Sequence, residues 1–371
     1  MKAGDAAVGL VACGTAWAVY LTKTRVDPFL SRRPFATVLG GGGGGGGGGH
    51  SSKSVALWKV VNVASYAMNV ISVSIPGRID DQMAKEMKEN KNKNNNNSNK
   101  KDDDRDDDKN DEQDRTKNIR RNSKYRSLFT PAGYAFAIWG VIFTSEFVFV
   151  TRSSFFNTSD EAFAANATGF FALANVLQSV WCFTFRDWTE EPKRHWINAF
   201  VLGAEALALW TAKERVFEVN GSFSKESRFV SVPLRTHFAW IMCACGINLN
   251  TVVAKVGSGS AQMFAAIGTT FAATAIGAYS SLRRGDAATP LVFAWALYAI
   301  HKDGAHRAPP ASPSKPDVDA KRAKSGGKVA STKNASTNEI PSKTITKLFT
   351  DIARACACIN AALAAFVAFF E

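Results

Sequence analysis

Long apolar runs separated by polar breaks dominate the chain from residue 54 onward. Eight such runs fall at 54–76, 129–151, 163–185, 196–212, 229–254, 261–282, 287–301 and 345–370. A bilayer core asks for about 20 mostly apolar residues per helix. Inside it, every backbone polar group must be satisfied within the spanning structure. The pattern predicts an all-α fold, a polytopic transmembrane helix bundle with at least eight spans. The runs at 196–212 and 287–301 are short, so their ends are weakly set. The last run begins polar (TITKLFTDIAR) and becomes apolar after Ala355. A ninth apolar stretch, 6–22 (AAVGLVACGTAWAVYLT), is shorter and precedes Lys23, Arg25, Arg32 and Arg33. It reads as a signal-type apolar region, an organelle-targeting segment or a first span, and the sequence leaves the three open.

The averages hide this pattern. A mean hydropathy of −0.10 and a net charge of +13 would describe a soluble basic protein. The polarity, however, sits in blocks. Residues 40–49 are ten consecutive glycines, 85–126 are mostly Lys, Asn, Asp, Glu and Arg, and 302–344 are rich in Pro, Ser, Lys and Ala. Such compositions bury too little apolar surface to offset chain entropy and predict disorder. The expected organisation is a leader or first membrane segment with a polyglycine linker (1–53), a membrane core (54–254) interrupted by a disordered charged loop (77–128), two more membrane helices (255–301), a disordered basic loop (302–344) and a C-terminal helix (345–371).

The basic excess does not predict nucleic-acid binding. Residues 77–128 carry 15 basic and 13 acidic groups, a nearly neutral polyampholyte rather than a phosphate-binding face. The same charges orient the bundle through the positive-inside rule. Loops 77–128, 186–195, 255–260 and 302–344 hold 28 Lys and Arg, against 12 on the opposite side. The two long loops are therefore expected to face cytosol, stroma or matrix.

Six cysteines (Cys13, Cys182, Cys243, Cys245, Cys356 and Cys358) all lie in apolar runs. The two C-x-C pairs cannot chelate from one helix, because i and i+2 point about 200° apart. No metal site and no cofactor is expected. P-loop, H-E-x-x-H, G-x-S-x-G and paired-carboxylate motifs are also missing, so the chain is not read as an enzyme.

Two sets of residues carry candidate chemistry. A ligand cavity in a helix bundle needs aromatic walls and a few convergent polar groups. Tyr134, Trp139, Trp181, Trp240 and Asn248 fit that description. Trp and Tyr also anchor spans at the interface, and Asn bridges helices, so each has a plainer role. The ionisable residues inside spans are Glu146, Glu205, Arg235 and His237. Such groups are rare in membranes and mark paths or ligand sites. A Glu–Arg or Glu–His pair facing the bundle interior is one reading. The other has Arg235 and His237 snorkelling to the interface while a glutamate stays protonated.

Five segments resemble the TspO/MBR tryptophan-rich sensory proteins, the translocator-protein-like family, in its larger branch with extra C-terminal helices. TPAGYAFAIWGVIF (130–143) is similar to the second-helix signature, and WKVVNVASYAMNVIS (58–72) to the first helix with its spaced Asn pair. ANVLQSVWCF (174–183) resembles the third helix, and VPLRTHFAWIMCACGINLNTVV (232–253) the fifth, with Trp240 and Asn248 eight residues apart. RRGDAATPLVFAWALYAI (283–300) resembles a late helix of the branch. The chain departs from the compact members in having Pro131-Ala132-Gly133-Tyr134 where they carry a Trp-rich Pro-Pro motif. The phase of Phe136 against Trp139 differs by one residue, and the first loop is greatly expanded.

The resemblance implies a TspO-like five-helix core over 54–254 with about three added helices. It implies a cavity among the core helices for a hydrophobic ligand, a porphyrin (tetrapyrrole) or a sterol, lined by Tyr134, Trp139, Trp181, Arg235, Trp240 and Asn248. In that case Arg235 would meet an anionic group of the ligand. The function expected is a membrane binding or sensor protein. The alternative is a secondary transporter or channel using Glu146, Glu205 and Arg235. The lipid bilayer is the expected partner, a homodimer stays open, and the low-complexity loops suggest a eukaryotic organelle membrane, plastid or mitochondrial.

Overall fold

The computed structural model describes residues 52–76, 127–156, 161–189, 192–221, 227–304 and 343–370. Every long regular element among them is an α-helix. We number them α1 (Ser52–Ser74), α2 (Ile138–Phe155), α3 (Glu161–Thr184), α4 (Pro192–Asn220), α5 (Arg228–Val256), α6 (Gly259–Arg284), α7 (Ala288–Gly304) and α8 (Lys343–Phe370). Each falls on one of the eight apolar runs. The segment at 6–22, the polyglycine tract and most of the two long polar loops lie outside the described residues.

Among the described residues, five segments are long and apolar enough to cross a membrane: Gly133–Phe155, Glu161–Thr184, Arg228–Val256, Gly259–Arg284 and Thr346–Phe369. The short run at 196–212 proves to be the apolar middle of α4, which is 29 residues long. Helix α7 is short, at 17 residues. Large apolar side chains such as Val141, Phe147, Phe200, Phe264, Phe271, Leu291 and Phe366 are exposed. In water that would be a liability, whereas in lipid it is the expected outer surface. The chain is thus an integral multi-pass membrane protein.

The first five helices close a ring. Helix α1 packs on α2 and α3, α3 on α4, α4 on α5, and α5 back on α2. Buried Ile142, Phe149, Phe171, Leu202, Leu209, Leu234 and Trp240 belong to the core of this ring. Helices α6, α7 and α8 pack on one another, and α6 and α7 lie against α5. Phe129, Leu297, Ile300 and Phe349 form the second core there.

Local chemistry explains the joints. Ser258 caps α6 by accepting from the Ala261 N–H at 3.3 Å. The helix ends at Gly285 with φ 62°, where the Gly285 N–H donates to Ser281 O and the Asp286 N–H to Ser280 O. This left-handed ending needs a residue without Cβ. Asp286 then caps α7, accepting from the Thr289 N–H at 3.0 Å and the Thr289 hydroxyl at 2.6 Å. Before α2, the Pro-Ala-Gly-Tyr stretch forms a 3₁₀ turn, Gly133–Ala137. It is tied to α7 at two points: the Ala132 N–H donates to Ala299 O at 3.1 Å, and the Trp295 indole N–H to Ala135 O at 3.0 Å.

Candidate functional site

Four of the five ring helices converge on the imidazole of His237, which α5 buries completely. Its Nδ1 lies 2.7 Å from Glu146 Oε1 on α2, and its Nε2 lies 2.8 Å from Gln178 Oε1 on α3. On α4, Glu205 Oε1 stands 3.3 Å from Nε2. That separation is an ion-pair distance but not a hydrogen bond, because Glu205 has neither carboxylate oxygen bonded. Glu146, Gln178 and Glu205 are all buried.

The fifth helix of the ring supplies amides. Asn69 on α1 donates to Asn175 Oδ1 on α3 at 2.7 Å, and Tyr66 donates to Phe143 O at 2.9 Å. Asn62, two turns before Asn69 on the same face of α1, is fully buried with neither amide atom hydrogen-bonded. Glu146 Oε2, Trp181 Nε1 and Trp240 Nε1 are likewise buried without a partner. Buried polar atoms are nearly always satisfied in folded proteins. Of these exceptions Glu146 Oε2 belongs to a carboxylate that meets His237, as do both Glu205 oxygens, whereas others such as Asn198 Oδ1 and Asn360 Oδ1 lie elsewhere in the bundle.

A chain of aromatic rings leads away from the same imidazole. Trp139 lies edge-on to His237 at 5.8 Å and to Trp240 at 6.2 Å, and stacks on Phe143 at 5.4 Å. Phe136 lies edge-on to Trp240 at 5.6 Å. Trp240 follows His237 by three residues, so the two share one face of α5.

The sequence-derived candidates divide accordingly. Trp139, Trp240, Glu146, Glu205 and His237 come together. Trp181 follows Gln178 by three residues on α3 and stacks on Phe185 at 4.9 Å. Tyr134 stands apart, half-exposed and edge-on to Trp295 at 5.3 Å. Asn248 donates to Ala244 O in its own helix, about 12 Å along α5 from Trp240. Arg235 also stands apart. It precedes His237 by two residues, which turns it to the other face of α5.

Arg235 belongs instead to a second buried cluster at Asp286. Arg235 Nη1 and Lys213 Nζ each lie 3.4 Å from the Asp286 carboxylate. Lys213 also donates to Ser280 Oγ at 3.4 Å, and its ammonium sits 4.3 Å from the Trp210 ring centre. Burial would lift the Asp286 carboxyl, but Lys213, Arg235 and the Thr289 hydrogen bonds hold it below the usual carboxylate range. This cluster joins α4 and α5 to the turn between α6 and α7. Sequence reading did not single out Gln178, Lys213, Asp286 or Phe136. The only signal for Lys213 was a charge directly following an apolar run.

The glutamates and histidine are not arranged as a metal site. His237 lies between Glu146 and Glu205, and no group of three or more His, Cys, Asp or Glu side chains able to hold an ion occurs among the described residues. No curated protein and no solved structure matches the chain. The family model for TSPO-like protein matches residues 112–310, which takes in α2 to α7. With over half of its length matched and a closed helical ring at its centre, the chain belongs to the TSPO-like protein family.

Proposed function

We propose that this membrane protein binds a hydrophobic ligand of tetrapyrrole or sterol type inside the five-helix ring, and sequesters, passes on or senses it. The observation that carries the reading is the run of rings from His237 through Trp139 and Trp240 to Phe136, beside Glu146, Glu205 and Trp240 atoms that have no hydrogen-bond partner. Apolar walls with a few convergent polar groups are how a bundle holds a small molecule. Membership of the TSPO-like family adds weight to it. The test is a titration of the detergent-purified protein with protoporphyrin, followed by intrinsic tryptophan fluorescence, with a sterol as competitor. Saturable quenching relieved by the sterol supports the reading. Quenching no stronger than that of an unrelated membrane protein opposes it.

One observation favours a second reading, transport. Ionisable groups buried within spans often form proton relays, and Glu146, His237 and Glu205 lie in line. Arg235 drops out of that path, being held by Asp286. Proton flux in proteoliposomes that Glu205→Gln abolishes would favour transport over simple binding.

The setting we propose is a plastid or mitochondrial membrane, on the low-complexity loops of the sequence. Imaging of a fluorescent fusion in a plastid-bearing cell tests it.

A further inference from the structure

We infer that the ring selects a planar hydrophobic ligand carrying a cationic or N–H-donating group, which Glu205 receives, over one that presents a carboxylate at the same depth. This rests on the ring-binding reading above and concerns which charge the site leaves uncompensated. His237 presents both ring nitrogens to oxygen acceptors, Gln178 Oε1 at 2.8 Å and Glu146 Oε1 at 2.7 Å. The bond to Gln178 requires a proton on Nε2. Nδ1 and Glu146 then share one further proton. Whether it sits on nitrogen or oxygen, the His237–Glu146 pair is neutral overall.

Glu205 shares that one imidazole, 3.3 Å from Nε2, and has no second cation to balance it. It is fully buried, and neither oxygen is hydrogen-bonded. Ionised, it would be a buried carboxylate without a counter-charge of its own, a costly state. The buried cations Lys213 and Arg235, on α4 and α5, both pair with Asp286. Cys245, the remaining titratable side chain that interacts with Glu205, donates to Ala199 O and offers no charge. A ligand ammonium or N–H would supply what Glu205 lacks, and Trp139, 5.8 Å from the same imidazole, is a ring type that attracts cations. A carboxylate would meet two glutamates instead.

Three probes on one three-ring skeleton separate the charges: 9-aminoacridine (cation), 9-anthracenemethanol (neutral) and 9-anthracenecarboxylate (anion). Calorimetric titration of the full chain in a non-ionic detergent is expected to give the cation an affinity about tenfold or more above the anion, or roughly 1.4 kcal/mol. Glu205→Gln should erase that preference, bringing cation and anion to similar affinities, and Glu205→Asp should retain part of it. Equal affinities in the wild type, or a preference that survives Glu205→Gln, overturn the inference. If protoporphyrin binds while the cationic probe does not, only this inference falls. If neither protoporphyrin nor any probe binds, the ring-binding reading falls with it.

Discussion

His237 and Glu146 meet at 2.7 Å across α5 and α2, although 91 residues separate them in the chain. The contact fixes the helices that close the ring, since α2 and α5 are joined only through their packing. Neither residue tolerates burial alone.

Removing His237 therefore leaves Glu146 and Glu205 as two buried acids without their shared partner. His237→Ala is expected to destabilise the detergent-solubilised protein by about 3–5 kcal/mol. Adding Glu146→Gln should recover part of the loss, so the double variant falls short of the sum. Thermal unfolding of the three variants measures this. Strictly additive losses would show that the two side chains do not interact.

Asp286 predicts a pH dependence. Its carboxyl is held below the usual carboxylate range by Lys213 and Arg235 against the opposing effect of burial. A depressed folded value means the contribution is fully present above the unfolded value of about 3.9 and is lost as pH falls through the folded one. Asp286→Asn leaves Lys213 and Arg235 facing each other and is expected to cost about 3–5 kcal/mol at neutral pH. The gap between wild type and variant should hold from pH 7 to about 5 and close only under stronger acid. The cluster is buried, so added salt should change the gap little. Melting curves over that pH range decide it. A gap that closes between pH 7 and 5 would contradict the assignment.

Helix contacts make a third prediction through glycine. A Cβ at Gly246 would meet Thr269 Cγ2 at 2.6 Å and Phe129 at 3.2 Å, whereas one at Gly268 meets nothing. Alanine is the better helix former by about 1 kcal/mol. Gly268→Ala should therefore raise the melting temperature. Gly246→Ala should lower it, because overpacking costs about 1–3 kcal/mol. Gly277→Ala should also lower it, since its Cβ would run into the Asn360 side chain of α8. A stabilising Gly246→Ala would contradict the close contact of α5 with Thr269 of α6.

Much of the fold was legible because membrane helices announce themselves by apolar length, and all eight runs became helices. The ends were less legible. The second run begins at 129, but its α-helix starts at Ile138, because Pro131 and Gly133 favour the extended and 3₁₀ backbone that docks on α7. The site was half legible. Glu146, Glu205 and His237 stood out as charges in apolar surroundings, and Trp240 sits one turn from His237. Gln178 did not, because a neutral amide in a span has many plain uses. The pairing of Arg235 was not legible, since Asp286 sits in a turn between later helices. Which face of α5 a residue takes depends on packing across the bundle, and the apolar pattern of a span does not encode it.

On the proposed function, the ligand lies in the ring beside Trp240. Tryptophan quenching by protoporphyrin, compared between Trp240→Phe and Trp196→Phe, tests it most directly. Trp240 is buried in the ring core, whereas Trp196 is half-exposed on α4. The account predicts that Trp240→Phe weakens protoporphyrin binding about tenfold, near 1.4 kcal/mol, while Trp196→Phe leaves it unchanged. Unchanged binding in Trp240→Phe with a loss in Trp196→Phe would place the ligand on the outer surface and contradict the account.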